Sequence, residues 1–254
     1  MMRLLLTMVA TLTWATSFAA EIGITPPRQS LAAAPGETVS TTVTVLTTAA
    51  TEERVVAATS DWTLGVGGEL TYLPAASLPS SAASWLALEA DEFALAPGGS
   101  RELRIQVTVP EDAEGTYHAM VFFTVVPAPT DTPGVGVTTT ARVGLTVYVT
   151  VTGTERSGSE LVDLYRPDPA TLAAVVVNSG NTVMRLGGTI ELRNEAGDVV
   201  QRLPVPDVPV LRESEREVRF DLPDDLEPGF YVVLALIEDD RGGLLAGELP
   251  IEIP

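Results

Sequence analysis

The sequence predicts an all-β protein built as two β-sandwiches in tandem behind a secretory leader, and three observations carry that expectation. Val and Thr are abundant and alternate with a period of two, as in strands that bury one face, while helical periodicity is absent. Pro and Gly punctuate the chain at regular spacing, as turns between short strands do. A unit of strand, proline, acidic loop, Gly-x-Tyr and apolar strand occurs twice, from Arg101 to Val126 and from Arg216 to Ile237. Repetition at this distance means two related domains rather than a solenoid.

The chain opens on Met1-Met2-Arg3, an apolar run from Leu4 to Trp14, and small residues up to Ala20. That order of positive, apolar and small-residue regions is a signal peptide, spanning 1–19. Ser17 and Ala19 fit the −3 and −1 positions, so cleavage is expected after Ala19, with Ala20 as second choice. The run is short for a membrane anchor, and no later stretch approaches about 18 consecutive apolar residues. The mature protein is therefore expected to be soluble and periplasmic or otherwise extracytoplasmic, with no membrane span.

Residues 20–153 are expected to form the first domain. Ile22 to Leu31 reads as an edge strand broken by Pro26-Pro27, and Pro35-Gly36 turns the chain. Val39, Thr41, Val43 and Val45 alternate with polar neighbours; Arg54 to Trp62 is the next strand, joined to Leu70–Leu73 by a hairpin around Gly65 to Gly68. Pro74 to Ser84 is a Ser/Ala/Pro loop, and Trp85, Leu86, Leu88, Phe93 and Leu95 supply core bulk before the Pro97-Gly98-Gly99 turn. The first copy of the repeat follows, then the loop Pro127 to Gly134.

After that loop, Val135, Val137, Thr139, Ala141, Val143, Leu145, Val147, Val149 and Val151 fall on one side of a period-2 pattern. At about 3.3 Å per residue the stretch would span about 55 Å, whereas strands commonly reach about 17–20 Å. One sandwich does not easily bury all of it. Two accounts stand open: a long hairpin with residues 116–126 satisfied inside the first domain, or an apolar face that serves the open sheet edge of another protein.

Residues 154–159 read as a polar, glycine-containing linker, and 160–254 as the second domain. Its strands are expected near Leu161 to Tyr165, Thr171 to Val177, Val183 to Arg193 and Leu244 to Ile253. Turns at Asn178 to Asn181 and Asn194 to Gly197 and a proline-rich crossing, Pro204 to Pro209, separate them. In both repeat units a tyrosine, Tyr117 or Tyr231, opens the penultimate strand just after a turn, similar to the tyrosine corner of immunoglobulin-like sandwiches. The expected fold class is thus two immunoglobulin-like β-sandwich domains in tandem.

Composition narrows the function. The absence of cysteine removes disulfides, thiolate metal sites and a Cys nucleophile, so stability must come from hydrophobic cores. The formal charge of −19, with every basic residue an arginine, argues against nucleic acid or anionic lipid as partner. The single histidine, His118, alternates with apolar neighbours and is expected on an exposed or half-exposed face, without a nucleophile beside it. Nucleophile-elbow, phosphate-loop and paired-histidine motifs are missing. The carboxylate groups Glu111/Asp112/Glu114, Asp224/Asp225/Glu227 and Glu238/Asp239/Asp240 match no defensible calcium loop and read as solvated turns. Trp62, Tyr72 and Trp85 offer stacking faces for a sugar, although core packing is the commoner use of such residues. No enzyme, cofactor or metal is expected.

Several motifs in fixed order resemble the PapD-like periplasmic chaperones of pilus assembly. They are Ile24-Thr-Pro-Pro-Arg28 with Leu31 and Pro35-Gly36, Phe93-x-Leu95-x-Pro97-Gly98, the Gly115-x-Tyr117 corner, and Arg142-Val-Gly-Leu-Thr-Val-Tyr148. The resemblance covers the mature chain and implies a non-enzymatic chaperone. In that family the last strand of the first domain lends apolar side chains to an exported, β-rich fimbrial subunit, with an outer-membrane usher as a further partner. It implies Val135, Val137, Thr139, Ala141 and Val143 as partner-binding residues, and Arg28 and Arg142 as anchors of the subunit's terminal carboxylate, a role suited to bidentate guanidinium. The chain departs from the family in lacking the cleft lysine, and Thr139 and Ala141 are smaller than the usual donors. The alternative function is a structural or adhesive immunoglobulin-like module of a cell-surface assembly; a sugar-binding accessory protein is a third.

Overall fold

The computed structural model describes residues 22–127 and 140–254. The expected leader, and Val135, Val137 and Thr139, lie outside the described residues.

Among the described residues, ten strands make the first sandwich: β1 (Ile22–Thr25), β2 (Arg28–Ala33), β3 (Thr38–Thr47), β4 (Glu53–Leu64), β5 (Leu70–Leu73), β6 (Leu86–Leu88), β7 (Glu92–Leu95), β8 (Ser100–Thr108), β9 (Gly115–Val126) and β10 (Arg142–Val151). One sheet runs β1-β3-β8-β6; the other runs β2-β10-β9-β4-β5, with β7 also pairing β4. Alternation decides what faces inward. Val43 and Val45 of β3, Leu103, Ile105 and Val107 of β8, Val55 and Ala57 of β4, Ala119, Val121 and Phe123 of β9, and Leu145 to Val151 at every second position of β10 meet in one buried core. The expected proline-broken edge strand is present: at the cis Thr25–Pro26 bond and Pro27 the chain leaves the edge of one sheet, and β2 joins the edge of the other.

The second sandwich comprises β11 (Ser159–Asp168), β12 (Thr171–Asn178), β13 (Met184–Asn194), β14 (Val199–Pro204), β15 (Pro209–Val210), β16 (Ser214–Asp221), β17 (Gly229–Asp239) and β18 (Leu244–Ile253). Its sheets are β11-β12-β16 and β14-β13-β17-β18, with β15 pairing β13. Leu172, Ala174 and Val176 on one side, and Ile190, Leu192, Val233, Ala235 and Ile237 on the other, form its core. All-β, two immunoglobulin-like sandwiches, as the alternation and the repeat predict. Tyr231 makes the tyrosine corner, its hydroxyl donating to the Glu227 carbonyl at 2.8 Å. Tyr117 packs its ring instead on Trp85, centroids 4.2 Å apart, with the Arg212 guanidinium 5.2 Å from its centroid.

The polar segment after β10 is bonded on both sides. Gly115 N–H donates to Thr154 Oγ1 at 2.8 Å, Arg156 N–H to Asn181 Oδ1 at 2.8 Å, and Asn181 Nδ2 to the Thr154 carbonyl at 2.9 Å. A third cluster, Trp62, Met120, Phe122, Tyr148 and Leu211, is buried where the sandwiches meet. The Gly65–Gly68 turn touches the second sandwich directly: Glu217 N–H donates to the Val66 carbonyl at 2.8 Å. Gly68 has φ +94°, a backbone conformation that favours glycine, and a Cβ there would push aside the end of the Arg216 side chain.

Candidate functional site: the free edge of β10 and the interdomain cleft

β10 has two neighbours, and they cover it unequally. On one side β9 runs antiparallel along the whole strand, from Arg142 opposite Thr124 to Val151 opposite Gly115. On the other side β2 runs parallel, but only from Arg28 opposite Thr146 to Ala33 opposite Val151. The reason is local: Pro26 and Pro27 lack the N–H a ladder needs, so pairing begins with Thr146 N–H donating to the Pro27 carbonyl at 3.1 Å. Among the described residues, Arg142 to Leu145 therefore have no strand beside them on the β2 side.

Of the five positions expected to bind a partner, Ala141 and Val143 are described. Both are half-buried and pack against the first core, in phase with Leu145 and Val147. β9 also still holds the chain at Ala141, whose carbonyl accepts from Val125 N–H at 2.9 Å.

The two expected anchors are not brought together. Arg28 sits opposite Thr146, four residues along β10 from Arg142, a separation of about 13 Å along the strand. The Arg142 guanidinium lies 3.4 Å from the Phe122 ring centroid and 5.6 Å from that of Tyr72, and these rings meet edge to face at 4.9 Å. A parallel β2 that starts at Arg28 places one arginine at the cleft and leaves the other over an aromatic pair.

Arg28 is exposed and makes no ion pair among the described residues. It borders a cleft of about 320 Å³ between the sandwiches, with Tyr148 and Thr150 from β10 and Arg185, Asp240 and Arg241 from the second sandwich. Arg185, on β13, is oriented by Asp207: its Nε donates to Asp207 Oδ1 at 2.5 Å and its Nη2 to the Asp207 carbonyl at 2.8 Å. The hydrogen bond from Arg185 holds the Asp207 carboxyl below its ordinary value, against the opposing effect of desolvation. Burial pushes the Tyr148 phenol up, while the charges of Arg185 and Arg28 pull the other way. Both cations thus act on one hydroxyl-bearing ring.

Behind Tyr148 lies His118, and here the exposed or half-exposed face expected for it is corrected: it is 2 % exposed. The outward face of β9 is itself covered, by Trp62 and Tyr148 and by Leu211 of the second sandwich, so alternation away from one core leads into another. The His118 Nε2–H donates to the Trp62 carbonyl at 2.9 Å, its ring meets that of Trp62 edge-on at 4.7 Å, and Nδ1 has no partner. Trp62, 3 % exposed, is closed to stacking on a sugar; Trp85 is half-buried against Tyr117, and Tyr72 stands 48 % exposed beneath Arg142. Residues 111, 112, 114, 224, 225, 227, 238 and 240 of the acidic groups are exposed, while Asp239 is half-buried and accepts from Arg241 N–H, Gly243 N–H and Ser159 Oγ.

Arg185 escapes sequence reasoning because its relevance depends on docking the second sandwich. Asn181 escapes because it reads as an ordinary turn residue. No protein-family model and no curated protein matches the chain. Among solved structures the chain is similar to the E. coli chaperone DraB, at 15% identity over 92% of this chain and 97% of that one, with a TM-score of 0.47. It is similar also to the CsuC-CsuE chaperone-tip adhesion subunit pre-assembly complex of Acinetobacter baumannii, at 12% identity over 90% and 97%, TM-score 0.49. A further likeness is to the Salmonella enterica SafA pilin in complex with the SafB chaperone, at 12% identity over 94% and 98%, TM-score 0.49. Each of these three solved structures contains a chaperone.

Proposed function

We propose that this protein is a non-enzymatic periplasmic chaperone that caps exported, fimbrial-type subunits by β-strand donation. The observation that carries the reading is the one-sided pairing of β10. Among the described residues, Arg142 to Leu145 have no strand partner on the β2 side, and such an edge pairs readily with a strand from another chain. Residues 135–141 extend the same alternation upstream, so Val135, Val137, Thr139, Ala141 and Val143 fall on the face that completes a partner's core. A subunit strand running parallel to β10 along this edge comes in line with β2 and ends against Arg28, which makes no ion pair among the described residues and is suited to a terminal carboxylate.

The reading is tested by mixing the mature protein with a β-rich exported subunit from the same cell and measuring co-elution. Val135→Asp with Val137→Asp should abolish the complex while leaving thermal unfolding of the free protein unchanged. Undiminished complex formation by that double variant would overturn strand donation.

A further inference from the structure

The second sandwich turns an apolar stripe outward. On β17 the odd-numbered residues from Tyr231 to Ile237 enter the core, so Phe230, Val232, Leu234 and Leu236 lie together on the opposite face of the sheet. Phe230 is 58 % and Val232 38 % exposed, and Leu234 and Leu236 are half-buried. β17 runs between β13 and β18, so the stripe occupies the interior of that face rather than its rim. An antiparallel sheet with one face on a core ordinarily shows water a polar face, and a contiguous apolar stripe in its place marks an interaction surface.

Charge is divided across the stripe. On the β13 side Glu191 pairs with Leu234 in register and gathers two guanidinium groups, Arg193 Nη2 at 2.6 Å and Arg202 Nε at 3.0 Å. Two arginines against one glutamate leave that flank net positive. On the β18 side Glu248 also lies opposite Leu234, with Glu252 opposite Phe230, and neither makes an ion pair among the described residues. The arginine pair and Glu248 therefore flank β17 in one row, each about 4.8 Å away across the sheet.

We propose that the outward face of β14-β13-β17-β18 is the contact surface of a homodimer, in which this sheet packs face to face on that of a second copy with β17 along the two-fold axis. Such an axis exchanges the two flanks: it lays one stripe on the other and sets Glu248 of each copy against the Arg193/Arg202 pair of the other. An axis across the strands lays arginine over arginine and Glu248 over Glu248, which like charge opposes. Opposite signs at matched positions on either side of one line are what an isologous contact requires, and a partner of single sign would meet repulsion on one flank. Sheets packed in this way align within about 30° and stand about 10 Å apart. Every residue of the contact belongs to the second sandwich, so the edge of β10 takes no part in it.

Sedimentation equilibrium of the mature protein is measured at about 0.15 M salt, where repulsion between these acidic chains is screened beyond about 8 Å. It should show a monomer–dimer equilibrium. Val232→Asp should raise the dissociation constant at least about a hundredfold, because it buries a carboxylate of each copy at the axis. Glu248→Arg should raise it about tenfold, because it turns two attractions into repulsions. The sequence has no cysteine, so a single one reports the axis. Val232→Cys should be linked into a covalent dimer by a bis-maleimide of about 10 Å reach, the spacing of packed sheets. Val162→Cys, at a position 47 % exposed on β11 of the other sheet, should be linked far more slowly. These two variants decide the matter even if Val232→Asp lowers stability.

A monomer at every concentration, or linking at 232 no faster than at 162, would overturn the proposal. Association that survives Val232→Asp but is lost on changing Val135 and Val137 to Asp would put the contact at the edge of β10 and overturn it equally. The reverse pattern supports the sheet face.

Discussion

The backbone N–H of Thr116 donates to the backbone carbonyl of Asn181 at 2.9 Å, a main-chain bond from the first sandwich to the second. Around it the Asn181 side chain holds the connecting segment at Thr154 and Arg156. Asn181→Ala removes both side-chain bonds, leaving the part-buried Arg156 N–H and Thr154 carbonyl without these partners, which should cost roughly 2 kcal/mol. Differential scanning calorimetry should show a lowered transition, and cleavage by a protease between 153 and 158 should quicken.

Gly115 stands beside that bond with φ +77°, and a Cβ would collide with the Asn181 carbonyl. Gly115→Val combines a disfavoured backbone with that collision. It should destabilise the protein by more than Asn181→Ala does, and small-angle scattering should report a larger radius of gyration as the sandwiches part.

Asp61 is fully buried in β4 and accepts from Ser77 N–H at 2.8 Å, Leu78 N–H at 2.9 Å and Ser81 Oγ at 2.5 Å. It ties the Pro74 to Ser84 loop to the sheet. Asp61→Ala leaves three donors without an acceptor and should cost roughly 3 kcal/mol, against about 1 kcal/mol for Ser81→Ala, which removes one bond. Urea denaturation curves measure both.

His118 carries a pH dependence whose sign follows from its surroundings. Burial lowers its pKa from the ordinary imidazole value of 6.5; the bond to the Trp62 carbonyl and the Asp61 charge oppose this, and the Arg212 charge assists it. The unfolded chain therefore binds a proton more readily than the folded one. Stability from neutral His118 is fully present above pH 6.5 and declines as the pH falls from there to the depressed folded pKa. The urea midpoint of the native protein should fall more steeply between pH 7 and pH 5 than that of His118→Gln; parallel slopes would contradict the assignment.

Much of the fold could be read from residue order because alternation, turn residues and the duplicated unit all point to the same answer. The hairpin around Gly65 to Gly68, the proline-broken edge at Pro26-Pro27 and the Tyr231 corner are local, and local chemistry decides them. What stayed hidden is tertiary. His118 and Tyr148 lie on faces that alternation assigns to solvent, and the second sandwich covers them. Arg142 and Arg28 are both basic and both flank β10, yet their separation depends on a parallel register that no periodicity encodes. Arg185 reaches the cleft only because of how β13 docks.

The abrupt start of β2 has a consequence for how a visiting strand finds its place. A strand shifted by one residue turns its whole apolar set to the wrong face. Among the described residues, nothing in the backbone along the β2-side edge of β10 distinguishes one offset from the next. On the proposed strand donation Arg28 supplies the missing origin: a chain that seats its end there has its offset counted outward from a fixed zero. In that proposal the cation is the stop of a ruler, and the valines upstream are its graduations.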